Sequence, residues 1–214
     1  MYEPVLIQGG MGVGVSNWCL AKAVSSQGHL GVVSGTLLEN VFARRLQDGD
    51  SDTSLKRACL HFPDQELAMR VWQTYFIDGG KKDCAPYKAV PMFSLTPPKE
   101  LVELTVLANF VEVWLAKEGH SGLIGINYLE KIQLPTLPSL YGAMLADVDY
   151  VLMGAGIPKA IPGVLDRLSK NLDVSLKIDV AGDTEKLIQQ SITTFNPCDY
   201  LTLTHDLKRP KFIA

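Results

Sequence analysis

Val5-Leu6-Ile7-Gln8-Gly9-Gly10-Met11-Gly12-Val13-Gly14-Val15-Ser16 is the stretch on which the reading of this chain turns. An apolar run of strand type meets four glycines within six residues, and a helical pattern begins near Ser16. Glycine reaches positive φ and leaves room where a Cβ would stand. A strand that turns through glycines into a helix is how α/β proteins build ligand sites at the carboxyl ends of their strands.

Working outward, strand-like and helix-like segments alternate. A helix is expected around Trp18–Gln27 and a second strand at Leu30–Ser34. Residues 100–118 carry an apolar stripe at Leu101, Leu104, Leu107, Val111 and Trp114, the spacing of an amphipathic helix. A third strand at Leu123–Asn127 precedes a helix over Thr136–Ala146, with Pro138 in its first turn. A fourth strand at Tyr150–Met153, a helix over Pro158–Leu172 and a fifth strand at Val174–Val180 follow. This order predicts a parallel sheet with right-handed crossovers. Residues 1–214 read as one domain with an irregular insertion at about 50–99. Within it, Lys56–Phe76 reads mainly as helix, broken at His61-Phe62-Pro63. Gly79-Gly80, Pro86, Pro91 and Pro97-Pro98 make residues 77–99 a turn-rich excursion over a sheet edge or a site. Arg209-Pro210-Lys211-Phe212-Ile213-Ala214 reads as a turn into a further apolar strand, so the chain is expected to be part of a longer one.

Composition narrows the function classes. A chain of 214 residues can bury one substantial core. Its 47% apolar content and mean hydropathy of +0.11 suit parallel strands buried on both faces. A net charge of −3 and a pI near 5.8 give no basic field, so no nucleic-acid partner is expected. No apolar run approaches the roughly 18 residues that span a bilayer. Met1-Tyr2-Glu3-Pro4 has no basic region of signal type. A cytoplasmic protein without a membrane partner is the expectation. Cys19, Cys59, Cys84 and Cys198 are far apart and form no C-x-x-C pair, which reads as four reduced thiols.

The residues that follow each strand form a pattern. Gly9, Gly10 and Met11 follow the first, and Ser34-Gly35-Thr36 the second. The third ends in Asn127-Tyr128, with Glu130 and Lys131 beyond. Gly154-Ala155-Gly156 follows the fourth, and Asp179, Ala181 and Gly182 the fifth. Small, hydrogen-bonding residues at one end of a sheet suit a flat heteroaromatic ligand. Taken singly, each also reads as an ordinary tight turn or strand-end cap. Gly10-Met11-Gly12-Val13-Gly14 departs from G-x-G-x-x-G, and no acid ends the second strand, so a dinucleotide fold is disfavoured. His29, His61 and His120 read as turn or loop residues, and His205 is the one histidine kept as a site candidate. No spacing matches a metal site.

These residues resemble a known family. Gln8-Gly9-Gly10-Met11-Gly12 with Ser16 resembles the opening of the nitronate monooxygenases, formerly 2-nitropropane dioxygenases. Gly125-Ile126-Asn127-Tyr128 resembles that family's G-[VI]-N motif. The stretches from Glu130 to Ala146, from Tyr150 to Pro158 and from Ile161 to Asp166 are similar to a bacterial subgroup identified with it. The resemblance implies an FMN-dependent (β/α)8 TIM-barrel oxidoreductase, here truncated after about five or six strands. It implies oxidation of alkyl nitronates with oxygen on a small-molecule substrate, with a homo-oligomer left open. It implies that Gly10, Met11, Asn127, Gly154 and Gly156 meet the flavin, and the strand-end pattern adds Gly9 and Gly35 as cofactor-binding residues, with no catalytic residue assigned and no metal. Flavin enoyl reductases of fatty-acid and polyunsaturated-fatty-acid synthesis are related barrels, and the same motifs leave that reading open as the alternative activity. A non-catalytic fragment of such a barrel is the remaining alternative. The family's phosphate-binding glycine loops and catalytic histidine lie in segments that would follow Ala214.

Overall fold

A computed structural model describes residues 3–179 and 191–214. The chain is a mixed α/β structure built on a parallel sheet. Strand β1 (Gly31–Ser34) pairs with β2 (Ile124–Leu129), β2 with β3 (Tyr150–Gly154), and β3 with β6 (Lys211–Ile213), all parallel. Seven helices are described: α1 (Trp18–Ser25), α2 (Leu38–Asp48), α3 (Ser54–Cys59), α4 (Gln65–Tyr75), α5 (Lys99–Lys117), α6 (Thr136–Leu145) and α7 (Ile161–Leu168). Among the described residues no helix is long and apolar enough to cross a membrane.

Alternation along the strands assigns the two faces of the sheet. Val33, Ile124, Ile126, Tyr128, Val151 and Met153 belong to the main core with the helices. Leu30, Val32, Leu123 and Tyr150, with Leu152 and Ile213 against them, form a smaller cluster apart from it. Asn127 lies between Ile126 and Tyr128 and so shares the face of Val32 and Leu152.

Two expectations change and a third is extended. Val5–Gly9 is not a full strand. It makes a single parallel bridge, Ile7 to Leu30, because the Gln8 side chain, not the backbone beyond it, accepts the Val32 N–H at 3.0 Å. Val5, Leu6 and Ile7 stay exposed. Second, the fifth strand does not join the parallel sheet. Strand β4 (Val174–Lys177) pairs antiparallel with β5 (Ile192–Phe195), and β6 takes the place beside β3. Val174 is buried while Ser175 and Lys177 are exposed, the one-sided burial that an antiparallel hairpin tolerates and a central parallel strand does not. Ala181 and Gly182 lie outside the described residues.

Third, α5 forms as expected but is buried well beyond its apolar stripe. Fifteen of its 19 residues are buried, and Trp114 of the expected stripe is less buried than its neighbours. Other elements answer its polar groups. Glu112 accepts from the Trp18 N–H at 2.7 Å and pairs with Arg45, which ties α1 and α2 to α5. Glu103 pairs with Arg70 of α4. Asn109 donates to Thr105 O and accepts from the Tyr128 hydroxyl at 2.8 Å. The helix is therefore buried on most sides without orphaned polar groups.

Helix α2 carries no start signal in the sequence. Leu37 precedes it in the left-handed region (φ 54°) and no side chain caps it. Residues 76–98 form the irregular excursion between α4 and α5.

Candidate functional site

Ser16 organises the glycine segment. Its Oγ accepts from the Met11 N–H at 3.0 Å and donates to Gly9 O at 3.1 Å. The Ser16 N–H closes the loop onto Met11 O, and Ser16 O accepts from the Ser34 N–H at 2.8 Å. The buried hydroxyl thus closes the loop on itself, and the Ser16 backbone carbonyl pins it to the carboxyl end of β1. Gly12 and Gly14 have positive φ, at 73° and 67°, which a β-branched residue would resist.

The next strand end joins this loop. Asn127 Nδ2 donates to Gly10 O at 2.8 Å, and the Gly35 N–H donates to Asn127 O at 2.8 Å. Five of the expected site residues, Gly9, Gly10, Met11, Gly35 and Asn127, are therefore brought together at the ends of β1 and β2. Gly154 and Gly156 sit one strand away. Gly154 O accepts from the Glu130 N–H at 3.0 Å, and the Glu130 carboxylate lies over Gly156 where a Cβ would stand.

The reason for glycine differs among these positions. A Cβ on Gly10 would meet Val32 Cγ1 at 2.6 Å and Val33 O at 2.7 Å. A Cβ on Gly35 would collide with the Tyr128 ring, which is buried and hydrogen-bonded. At both positions protein atoms fill the space, so packing demands the glycine. At Gly154 nothing lies within 4 Å of the Cβ position. Met11, at the same end of the sheet, is 63% exposed. The segments 8–16, 34–36, 125–129 and 154–157 carry no Lys or Arg.

The histidines stand apart. His205 is exposed and enters through its backbone carbonyl, which accepts from Asn171. His61 stacks on Trp114. Among the described residues no group of three or more His, Cys, Asp or Glu is placed to hold a metal ion. The four cysteines are free thiols, and burial pushes the Cys59 thiol up to about 12.

Sequence reasoning missed Glu39. It lies in the first turn of α2, directly beyond the end of β1, and is 4% exposed. Asn40 Nδ2 donates to its Oε1 at 3.0 Å. Burial pushes its carboxyl above the ordinary range, against its own backbone N–H and the Asn40 amide, which pull it down. A cavity of about 730 Å³ opens beside it. The sequence offered its position after the second strand, but burial is a tertiary property and left no local sign.

Comparison of the chain with family models, with curated proteins and with solved structures gives no match.

Proposed function

We propose that the chain carries the ring-holding part of an FMN-dependent oxidoreductase of the (β/α)8-barrel type, with the oxidation of alkyl nitronates by oxygen as its reaction. The observation that supports this most is the bond from Asn127 Nδ2 to Gly10 O. It joins the glycine loop and the third expected strand, the two segments with the most specific resemblance, at the carboxyl end of the parallel sheet. That end of a parallel sheet is where such folds place ligands.

The residues fit one end of the cofactor. The open space at Gly154, the exposed Met11 and the half-buried Asn127 amide suit the flat edge of an isoalloxazine ring. They do not fit the phosphate end, because the converging segments carry no cation. When bound, FMN supplies the passage of electrons from the substrate to oxygen. The chain's own residues hold the platform: Ser16 fixes the loop, Asn127 fixes the loop to β2, and Gly154 leaves the approach open. None of the residues at this face is assigned the role of base.

Titration of riboflavin and FMN into the chain, followed by flavin fluorescence, tests the reading. Both flavins are expected to bind, with affinities within about threefold of each other, since the phosphate is not gripped. Asn127→Leu is expected to weaken both by roughly 5- to 150-fold, the worth of one buried hydrogen-bonding partner. No binding, or equal binding by Asn127→Leu, overturns it.

A further inference from the structure

Gly10, Met11, Asn127 and Gly154 are not among the residues lining the 730 Å³ cavity, whose size is that of a small-molecule site. It is bounded by the loop after β1, the loop after β2 and the irregular excursion. Leu37, Val90, Met92, Phe93, Ile132 and Leu134 give it an apolar wall. Its charges are unbalanced. Glu39, Glu130 and Asp179 line it, against Lys131 as the one cation among its described lining residues. The excursion brings no charged group to it, since Val90-Pro91-Met92-Phe93 are all uncharged.

None of the three carboxylates has an ion-pair partner among the described residues. Gln133 organises two of them. Its Nε2 lies 3.4 Å from both Glu130 Oε1 and Asp179 Oδ2, and its Oε1 accepts from the Asp179 N–H at 2.8 Å. Glu39 is the deeply buried one, with the Asn40 amide as its neighbour. A narrow crevice runs on past Glu39 toward Gly35, Tyr128 and Ser139. A carboxylate held out of water without a counter-cation is costly, and an incoming cation relieves that cost.

We propose that this cavity binds a mainly apolar small molecule with a protonated amine, the ammonium paired with Glu39 and the apolar body laid against Leu37, Val90, Phe93 and Ile132. An anion of the same shape meets three carboxylates and is rejected. A neutral analogue gains only the burial of its apolar body. The inference uses none of the residues assigned to flavin, so it stands or falls separately from that reading.

Octylamine, octanol and octanoate, titrated into the 214-residue chain by calorimetry and amide NMR, provide the test. Octylamine is expected to bind about tenfold or more tightly than octanoate. The shifts are expected to centre on residues 37–40, 90–93 and 130–135. Glu39→Gln is expected to bring octylamine down to the level of octanol. A second measurement uses the unaltered chain. Raising the pH above the ordinary glutamate range ionises Glu39 while octylamine stays charged, so the preference for octylamine over octanol is expected to grow with pH. Octanoate binding as well as octylamine, a preference that survives in folded Glu39→Gln, shifts confined elsewhere, or a flat pH profile overturns the proposal.

Discussion

Asn127 Nδ2 donates to Gly10 O at 2.8 Å, so two residues 117 positions apart lock the glycine loop to the end of β2. The Asn127 backbone carbonyl takes the Gly35 N–H, which draws the end of β1 into the same knot. One side chain therefore sets the relative position of two strand ends and a loop. Asn127→Leu should lower stability by about 1–3 kcal/mol, the cost of leaving a partly buried carbonyl unpaired. Asn127→Asp should not rescue it, because a carboxylate accepts and cannot donate to Gly10 O. Urea unfolding of the three proteins checks this. An Asp variant as stable as the parent would mean that the amide acts by shape alone.

Gly10 and Gly154 should respond oppositely to the same change. Gly10→Ala drives a methyl into Val32 and Val33 O, so it should destabilise by about 1–3 kcal/mol even without ligand. Gly154→Ala meets open space and should change stability by less than about 0.5 kcal/mol. If the flavin reading holds, only Gly154→Ala separates ligand affinity from folding. Thermal melts of both variants with and without riboflavin give the comparison. A neutral Gly10→Ala would show that the loop moves freely away from β1.

The sequence carried the strand ends because continuous apolar runs such as Tyr150-Val151-Leu152-Met153 and Ile124-Gly125-Ile126 mark buried parallel strands. It carried less about why the glycines stand where they do. A glycine demanded by a ligand and one demanded by the Tyr128 ring look the same in one dimension, and Gly35 is the second kind. The exchange of β4 for β6 beside β3 was not readable, since Val174-Ser175-Leu176-Lys177 and Lys211-Phe212-Ile213 are both short and only tertiary packing arbitrates between them. The stripe of α5 was readable but the burial of its other side was not, since Glu103, Asn109 and Glu112 are polar. Their partners Arg70, Tyr128 and Arg45 come from distant segments. Glu39 was invisible for the same reason.

Asp149 anchors the opposite end of the sheet. Its Oδ2 accepts from the Ile124 N–H at 2.9 Å and from Lys117 at 3.0 Å, and its Oδ1 from Lys208. Its backbone carbonyl accepts from the Lys211 N–H at the start of β6. Burial pushes its carboxyl up, but the Ile124 N–H and the two lysines outweigh that and hold it below the ordinary aspartate range. A lowered folded value means that the native state binds fewer protons than the unfolded chain as pH falls. The contribution is complete above the ordinary aspartate range and disappears as pH drops through the folded value. Asp149→Asn should cost about 2 kcal/mol at neutral pH, discounted because both lysines are partly exposed. The difference from the parent should vanish in acid. Parallel urea titrations at neutral pH and at successively lower pH below the ordinary aspartate range measure it, and a gap that persists unchanged into the strongest acid would remove the ionic part of the account.

Glu39 should behave in the reverse sense. Its carboxyl is raised above the ordinary range, chiefly by burial, with no ion-pair partner among the described residues to offset the loss of water. The folded chain therefore holds this proton to higher pH than the unfolded chain does. In that window the unfolded state binds fewer protons, so stability falls as pH rises from the ordinary glutamate range through the folded value. Above it, the native state carries a buried charge at a standing cost. Glu39→Gln keeps the shape and the Asn40 contact while removing the charge. It should stabilise the chain at neutral pH, by about 1.4 kcal/mol for each unit by which burial raises the carboxyl. The two proteins should converge near pH 4, where the parent is protonated as well. Octylamine should narrow the difference at neutral pH by stabilising the parent more than the variant. Melting temperatures across pH, with and without the amine, read all three effects. A Glu39→Gln variant less stable than the parent at neutral pH would mean that the carboxylate is satisfied within the fold and has no ligand to wait for.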